Sequence, residues 1–322
     1  MYDCIKLARP DLILDPIHDG RHELPDIPKA RESIPFCLHL PDEGIACFTY
    51  TWVNRASEAG AAMAIFGPGV GDQPIQQRLP DRPIPNTMNF SEWQIDDFKM
   101  GSELDFKKAS VNWHTPQGGV EFTFEAIHPP YAYGSHAEGC PSFTAIDRIE
   151  QSGKVKGKLV LNGRTIEFDT LSHRDHSWGS RMWGAFQYYN WYQGQSADGN
   201  IVVHYWRYFA LGRFHLRGYI VKDGLMAEIT DLHTDIEYND VLHPQKVISR
   251  VTDEAGRSTA LTAEVYARYK LKPGDEFHLL ECAASATYDG APGVGWLELG
   301  CPPSYFDFVE QNGPFKELER KL

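Results

Sequence analysis

Apolar and polar residues alternate with a period of two over much of the chain. Phe48, Tyr50 and Trp52 are interleaved with Thr49 and Thr51, and residues 120–125 read Val-Glu-Phe-Thr-Phe-Glu. Such alternation predicts half-buried β-strands. A strand at 144–151 passes through Ser152-Gly153 into another at 154–161. Asn162-Gly163 then predicts a tight hairpin, since a type I′ turn needs positive φ at both central residues, and 165–169 is the return strand. The second half keeps this rhythm. Asp198-Gly199 precedes a strand at 201–206, Lys222-Asp223-Gly224 separates 219–221 from 225–227, and Glu254-Ala255-Gly256-Arg257 separates 246–252 from 259–269. Pro273-Gly274 precedes a strand at 277–287. Strands with turn chemistry between them predict an all-β, antiparallel fold rather than βαβ units. Helix is expected only as one turn near 29–33 and as a short segment at 314–321.

Pro10, Pro16, Pro25, Pro28 and Pro35 make residues 1–40 read as an arm laid over a surface. The strands that follow are too numerous for one small barrel. Two consecutive β-domains are expected, 41–170 and 171–322, the second ending in a C-terminal tail. Two barrels bury a sizeable core and leave room for a cavity in a mouth or at their interface. Composition agrees: of 322 residues, 42% are hydrophobic and 23% charged, as in globular proteins. A formal charge of −13 argues against a nucleic-acid partner, which needs a basic face. No apolar run approaches the roughly 20 residues that span a bilayer, and the N-terminus lacks the basic-then-apolar order of a secretory signal. A cytoplasmic protein without a transmembrane segment is therefore expected. The six cysteines include no Cys-x-x-Cys pair, which suits reduced thiols. Gly67-Pro68-Gly69-Val70-Gly71 lacks a following Gly-Lys-Ser/Thr and is read as a surface loop, as is Ala291-Pro292-Gly293-Val294-Gly295.

The chemistry concentrates between Leu171 and Phe209. Eleven aromatic residues fall among the 32 from Trp178 to Phe209, where the chain average of 12% gives about four. Beside them stand His173, Arg174, Asp175, His176 and Arg181, which are costly to bury unless paired. Such a polar knot is a structural latch, a site, or both. In a site, Asp175 among aromatics suits a general acid, while Arg174 or Arg181 would push it toward the anion. Tryptophan and tyrosine faces stabilise a developing carbocation through the ring quadrupole. The competing chemistries are thinner. His173 and His176, with His204 and His215, offer histidines for a metal, but no His-Glu-x-x-His frame is present, and neither metal nor cofactor is expected. Ser177 lacks the nucleophile elbow of a serine hydrolase. Trp52, Asn54, Trp113, His114, Tyr131, Tyr133 and His136 are further pocket candidates in the first half.

The stretch Arg174-Asp175-His176-Ser177-Trp178-Gly179-x-Arg181 resembles the hallmark of the AttH/hydroxyneurosporene-synthase-like proteins, and Tyr189-Asn190-Trp191 fits the same group. The resemblance implies two lipocalin-like domains over residues 40–300. It also implies an activity like that of the carotenoid 1,2-hydratases, which add water across an isoprenoid double bond, or of related polyketide pericyclases. By that likeness Asp175 falls where a hydratase carries an acid, with His176 and Trp178 supporting the pocket. The reading is a cofactor-independent lyase or isomerase acting on a hydrophobic small molecule such as a terpenoid or polyketide. Asp175 donates the proton and His176 orients it or relays the proton. Trp178, Trp183, Tyr189 and Trp191 form the wall, with Arg174, His204 and Trp52 as further substrate contacts. The rival is a binding protein for hydrophobic ligands that does no chemistry. The sequence names neither the substrate nor the oligomeric state.

Overall fold

A computed structural model of the chain describes residues 2–239 and 241–313. It holds twenty strands: β1 (Lys6–Leu7), β2 (Arg31–Leu40), β3 (Ile45–Asn54), β4 (Glu58–Phe66), β5 (Ile75–Pro83), β6 (Trp93–Ile95), β7 (Phe98–Ser102), β8 (Lys108–His114), β9 (Gly118–Ala126), β10 (Tyr131–Ala132), β11 (Asp147–Leu161), β12 (Arg164–Gly179), β13 (Phe186–Ser196), β14 (Val202–Ala210), β15 (Arg213–Lys222), β16 (Leu225–Tyr238), β17 (Pro244–Asp253), β18 (Ser258–Leu271), β19 (His278–Tyr288) and β20 (Ala291–Cys301). One α-helix, α1 (Pro303–Asn312), follows. No helix among the described residues is long and apolar enough to cross a membrane. The chain divides into two compact units, Met1–Met182 with Gly224–Met226, and Trp183–Asp223 with Ala227–Leu322. Both are built from lipocalin-like antiparallel sheets.

In the first unit the sheet order is β5-β4-β3-β2-β12-β11-β9-β8-β7-β6, with β10 added beside β11. The core packs on one face of this curled sheet. Ile34, Phe36, Leu38 and Leu40 from β2 meet Val155, Leu159 and Leu161 from β11 and Ile166 and Phe168 from β12. The hairpin between β11 and β12 turns where expected: Asn162 has φ 50° and Gly163 φ 82°, the left-handed pair that a type I′ turn demands. Both strands are longer than the sequence suggests. β11 runs unbroken through Ser152-Gly153, and β12 continues ten residues past Asp169, to Gly179. The first unit therefore closes at Met182 rather than near residue 170.

Other expectations shift for similar reasons. The segment 29–33, expected as a helical turn, opens strand β2 at Arg31, because its residues pair with Trp52, Val53 and Asn54 of β3. The arm instead has a short 3-10 turn at Pro16–Asp19, capped by the Asp15 carboxylate accepting from the Ile17 amide. On β3 the alternation is right and the core takes the opposite face. Ile45, Cys47 and Val53 join the core, while Trp52 lies on the other side between the guanidinium groups of Arg31 and Arg78. The helix expected at 314–321 lies outside the described residues.

The second unit is a closed barrel. Strands β13 to β20 each pair with the next, and β20 pairs back with β13, so the sheet has no free edge. The interior is filled by side chains such as Tyr192, Tyr205, Tyr288 and Leu297, and the Tyr192 and Tyr288 hydroxyls meet at 2.8 Å. The Ala291–Gly295 segment is no loop: it opens β20, where glycine lets the backbone approach Gln195 and the Tyr192 ring. All six cysteines are free thiols.

Candidate functional site

The β11–β12 hairpin carries the most heavily charged buried region of the first unit. The register sets Glu150 opposite Asp175, Ser152 opposite His173 and Arg148 opposite Ser177. Side chains alternate along a strand, so all six project from the face away from the core. Arg148 forks between two carboxylates. Its Nε donates to Glu150 at 2.6 Å and its Nη2 to Asp175 at 2.7 Å. Glu150 is wholly buried and also accepts from the Tyr133 hydroxyl at 3.0 Å. Its other oxygen lies 2.8 Å from His173 Nε2, while His173 Nδ1 meets the Ser152 hydroxyl at 3.0 Å. Ser177 Oγ is 3.5 Å from the second Asp175 oxygen.

The core-side face of the same strands carries a separate set. Arg174 donates through Nε and Nη2 to Gln151 at 3.0 and 2.9 Å, and pairs with Asp19 of the arm at 3.0 Å. His176 Nε2 lies 2.7 Å from Glu32, and His22 Nδ1 reaches the same Glu32 oxygen at 2.7 Å. The Trp178 indole stacks on the His22 ring with centroids 3.7 Å apart. Asp175 and His176, expected to act together, therefore stand on opposite faces of β12. Adjacent residues of a regular strand cannot share a proton, so no relay runs between them. Alternation likewise puts His173 and His176 on opposite faces, so they cannot share a metal.

The remaining expected residues each have their own partners. Trp52 donates to Asp81 at 2.6 Å; it shares the sheet face of the Asp175 set, opposite Ser33, which in turn stands opposite Ser177. Arg181 donates to the carbonyl oxygens of Thr144, Gly179, Ser180 and Ser177 and acts as a clamp on the end of β12. In the second unit Trp183 stacks on Phe277. Tyr189 packs on Phe277 and Trp206, and its hydroxyl bonds to Glu298. Trp191 and His204 meet edge to face. Tyr189, Trp191 and His204 lie on the outer face of the barrel wall, because Tyr192 and Tyr205 take the inward positions of β13 and β14. Tyr133, a pocket candidate, joins the Glu150 set, whereas Arg148, Glu150, Glu32, His18 and His22 are site residues that sequence reasoning misses. The first two have a signal: Arg148 and Glu150 are two apart on a strand, as are His173 and Asp175.

Burial governs the titration of this region. It pushes His128 down to about 3. That fits a neutral ring whose Nδ1 donates to the Pro129 carbonyl at 2.6 Å while Nε2 accepts the Ser152 amide at 2.9 Å. Burial and the nearby His173 take His39 to about 3, and burial lowers His173 as well, against the opposing pull of Glu150. Burial alone would raise Glu32, but the hydrogen bonds and charges of His176 and His22 together hold it below the usual range. The depressed histidines bind fewer protons folded than unfolded. Their stabilisation is full above the unfolded value of 6.5 and is lost as pH falls toward 3. Melting temperature should drop steadily across that window, with His128→Gln reducing the slope. A flat profile would contradict neutral buried histidines.

A family model described as "Domain of unknown function (DUF7064)" matches residues 15–303. The chain belongs to the DUF7064 family. No curated protein sequence matches this DUF7064 chain. Among solved structures it is similar to an AttH protein of Nitrosomonas europaea, with TM-score 0.59, 15% identity and coverage of 91% of this chain and 98% of that one. Kievitone hydratase of Nectria haematococca superposes with TM-score 0.61 at 11% identity, covering 94% and 97%. CghA in complex with Sch210972 gives TM-score 0.60 at 12% identity, covering 84% and 88%. The expected likeness to AttH-type proteins is thus met in the fold, which the DUF7064 chain shares with a hydratase.

Proposed function

We propose that this DUF7064 chain is a cofactor-independent lyase or isomerase, of hydratase or cyclase type, acting on a hydrophobic small molecule. The observation that carries the reading is the cluster of buried titratable groups around Arg148. One guanidinium stands between two buried carboxylates, Glu150 and Asp175, and burial favours the neutral ring of the adjoining His173. Two carboxylates, an imidazole and the Tyr133 and Ser152 hydroxyls stand here in hydrogen-bond contact, out of bulk water. The set is therefore suited to hold and release a proton, the property a general acid–base site needs. Asp175 exchanges the proton with the substrate, Arg148 fixes the carboxylate, and Tyr133, His173 and Ser152 hold Glu150 in place. The likeness in fold to kievitone hydratase and CghA points the same way.

The experiment is to incubate the full chain with kievitone and with a panel of terpenoid and polyketide compounds, in water enriched in heavy oxygen. Hydration adds one labelled water to the product mass. Cyclisation or isomerisation changes retention without changing mass. A compound that binds tightly and is recovered unchanged would replace the enzyme reading with a binding protein.

A further inference from the structure

We propose that His22, Glu32 and His176 bind a divalent transition-metal ion on the core side of β12, a site independent of the Asp175 set. His22 Nδ1, a Glu32 oxygen and His176 Nε2 all lie within 4.8 Å of one another. Both imidazole nitrogens converge on one carboxylate oxygen, each at 2.7 Å, so the three donor atoms are already gathered within the span of one coordination shell. Two histidines and one carboxylate form a donor set that zinc and non-haem iron(II) accept, at about 2.0–2.2 Å for zinc. An ion of that size replaces the protons now shared between the nitrogens and the oxygen.

The surroundings are built as a ligand shell requires. The rear nitrogen of His22, Nε2, lies 3.0 Å from His18 Nδ1, the outer contact that fixes the orientation of a ligating imidazole. Trp178 stacks on His22 from one side, and Phe90 meets His176 edge-on. The His22 amide donates to the second Glu32 oxygen at 3.0 Å, holding the carboxylate in its rotamer. Glu32 and His176 are almost fully buried, while the His22 side chain keeps 16% exposure, which gives an ion a way in. The arm contributes directly to this centre, since its Pro16–Asp19 turn and the residues after it deliver His18 and His22 to the sheet.

The test uses metal-stripped full chain titrated with cobalt(II), followed by its visible d–d absorption, with zinc as competitor. One equivalent is expected to bind, with zinc displacing it. His22→Ala should abolish the band, and His18→Ala should weaken binding by about 10- to 100-fold, as loss of an outer partner does elsewhere. His22 is partly exposed, so that variant is expected to fold; circular dichroism checks it. Asp175→Asn should keep full cobalt binding whatever becomes of its activity, which separates this site's failure from that of the proposed reaction. Folded wild-type protein that takes up neither cobalt nor zinc, or a folded His22→Ala variant that binds as tightly as wild type, overturns the proposal.

Discussion

Replacing Arg148 by methionine is expected to cost about 3–5 kcal/mol of folding stability, the penalty for removing one partner of a buried ion pair. Arg148 bridges two carboxylates whose side chains are 0% and 9% exposed. Without it, Glu150 and Asp175 face each other across paired strands and have lost the guanidinium they share. The variant should take up protons to survive, so its stability should rise on mild acidification. Replacing both Arg148 and Glu150 by apolar residues of similar volume should recover much of the loss, because a buried charge is removed together with its partner. Denaturant melts of the single and double variants measure this. A loss below about 1 kcal/mol for Arg148→Met, the level of a surface pair, would mean that the network is solvated and unsuited to holding a proton.

Asp175→Asn is expected to lower turnover by about 10²- to 10⁴-fold, the range for removing a general acid or base. The amide keeps the size of the carboxyl, and its oxygen can still accept from Arg148. The melting temperature should therefore stay near the wild-type value while chemistry fails. His176→Gln makes the informative comparison. It breaks the contact with Glu32 on the opposite face, so it should lower stability with little change in kcat. A latch shows the reverse for Asp175: lower melting temperature and unchanged turnover.

Much of the fold is legible in the sequence because β-structure writes itself locally. The Asn162-Gly163 turn and the second-half hairpins follow from neighbours along the chain. The pairing of β20 with β13 does not, since nothing local says which strands close a barrel. Alternation misleads on β3, where Trp52 packs under arginines rather than in the core: amphipathic aromatics satisfy a period of two on either side. The hallmark around Asp175 points to the right strand, yet as a string of residues it reads as one cluster. Period-two alternation divides it, Arg174, His176 and Trp178 to one face and His173, Asp175 and Ser177 to the other. Their partners are distant in sequence. Glu32 and His176 are 144 positions apart, and Arg148 and Asp175 27 apart. Charge pairing over such separations is fixed by register alone, and a single sequence does not display register.

The most direct measurement is a crystal structure of the full chain with a compound that the panel shows to be turned over. The result expected is a reacting atom within about 3 Å of the Asp175 carboxyl, the reach of a proton transfer, with the Arg148 contact retained. A bound ligand lying wholly elsewhere, with Asp175 held only by protein groups, would contradict the assignment of this hairpin as the seat of chemistry.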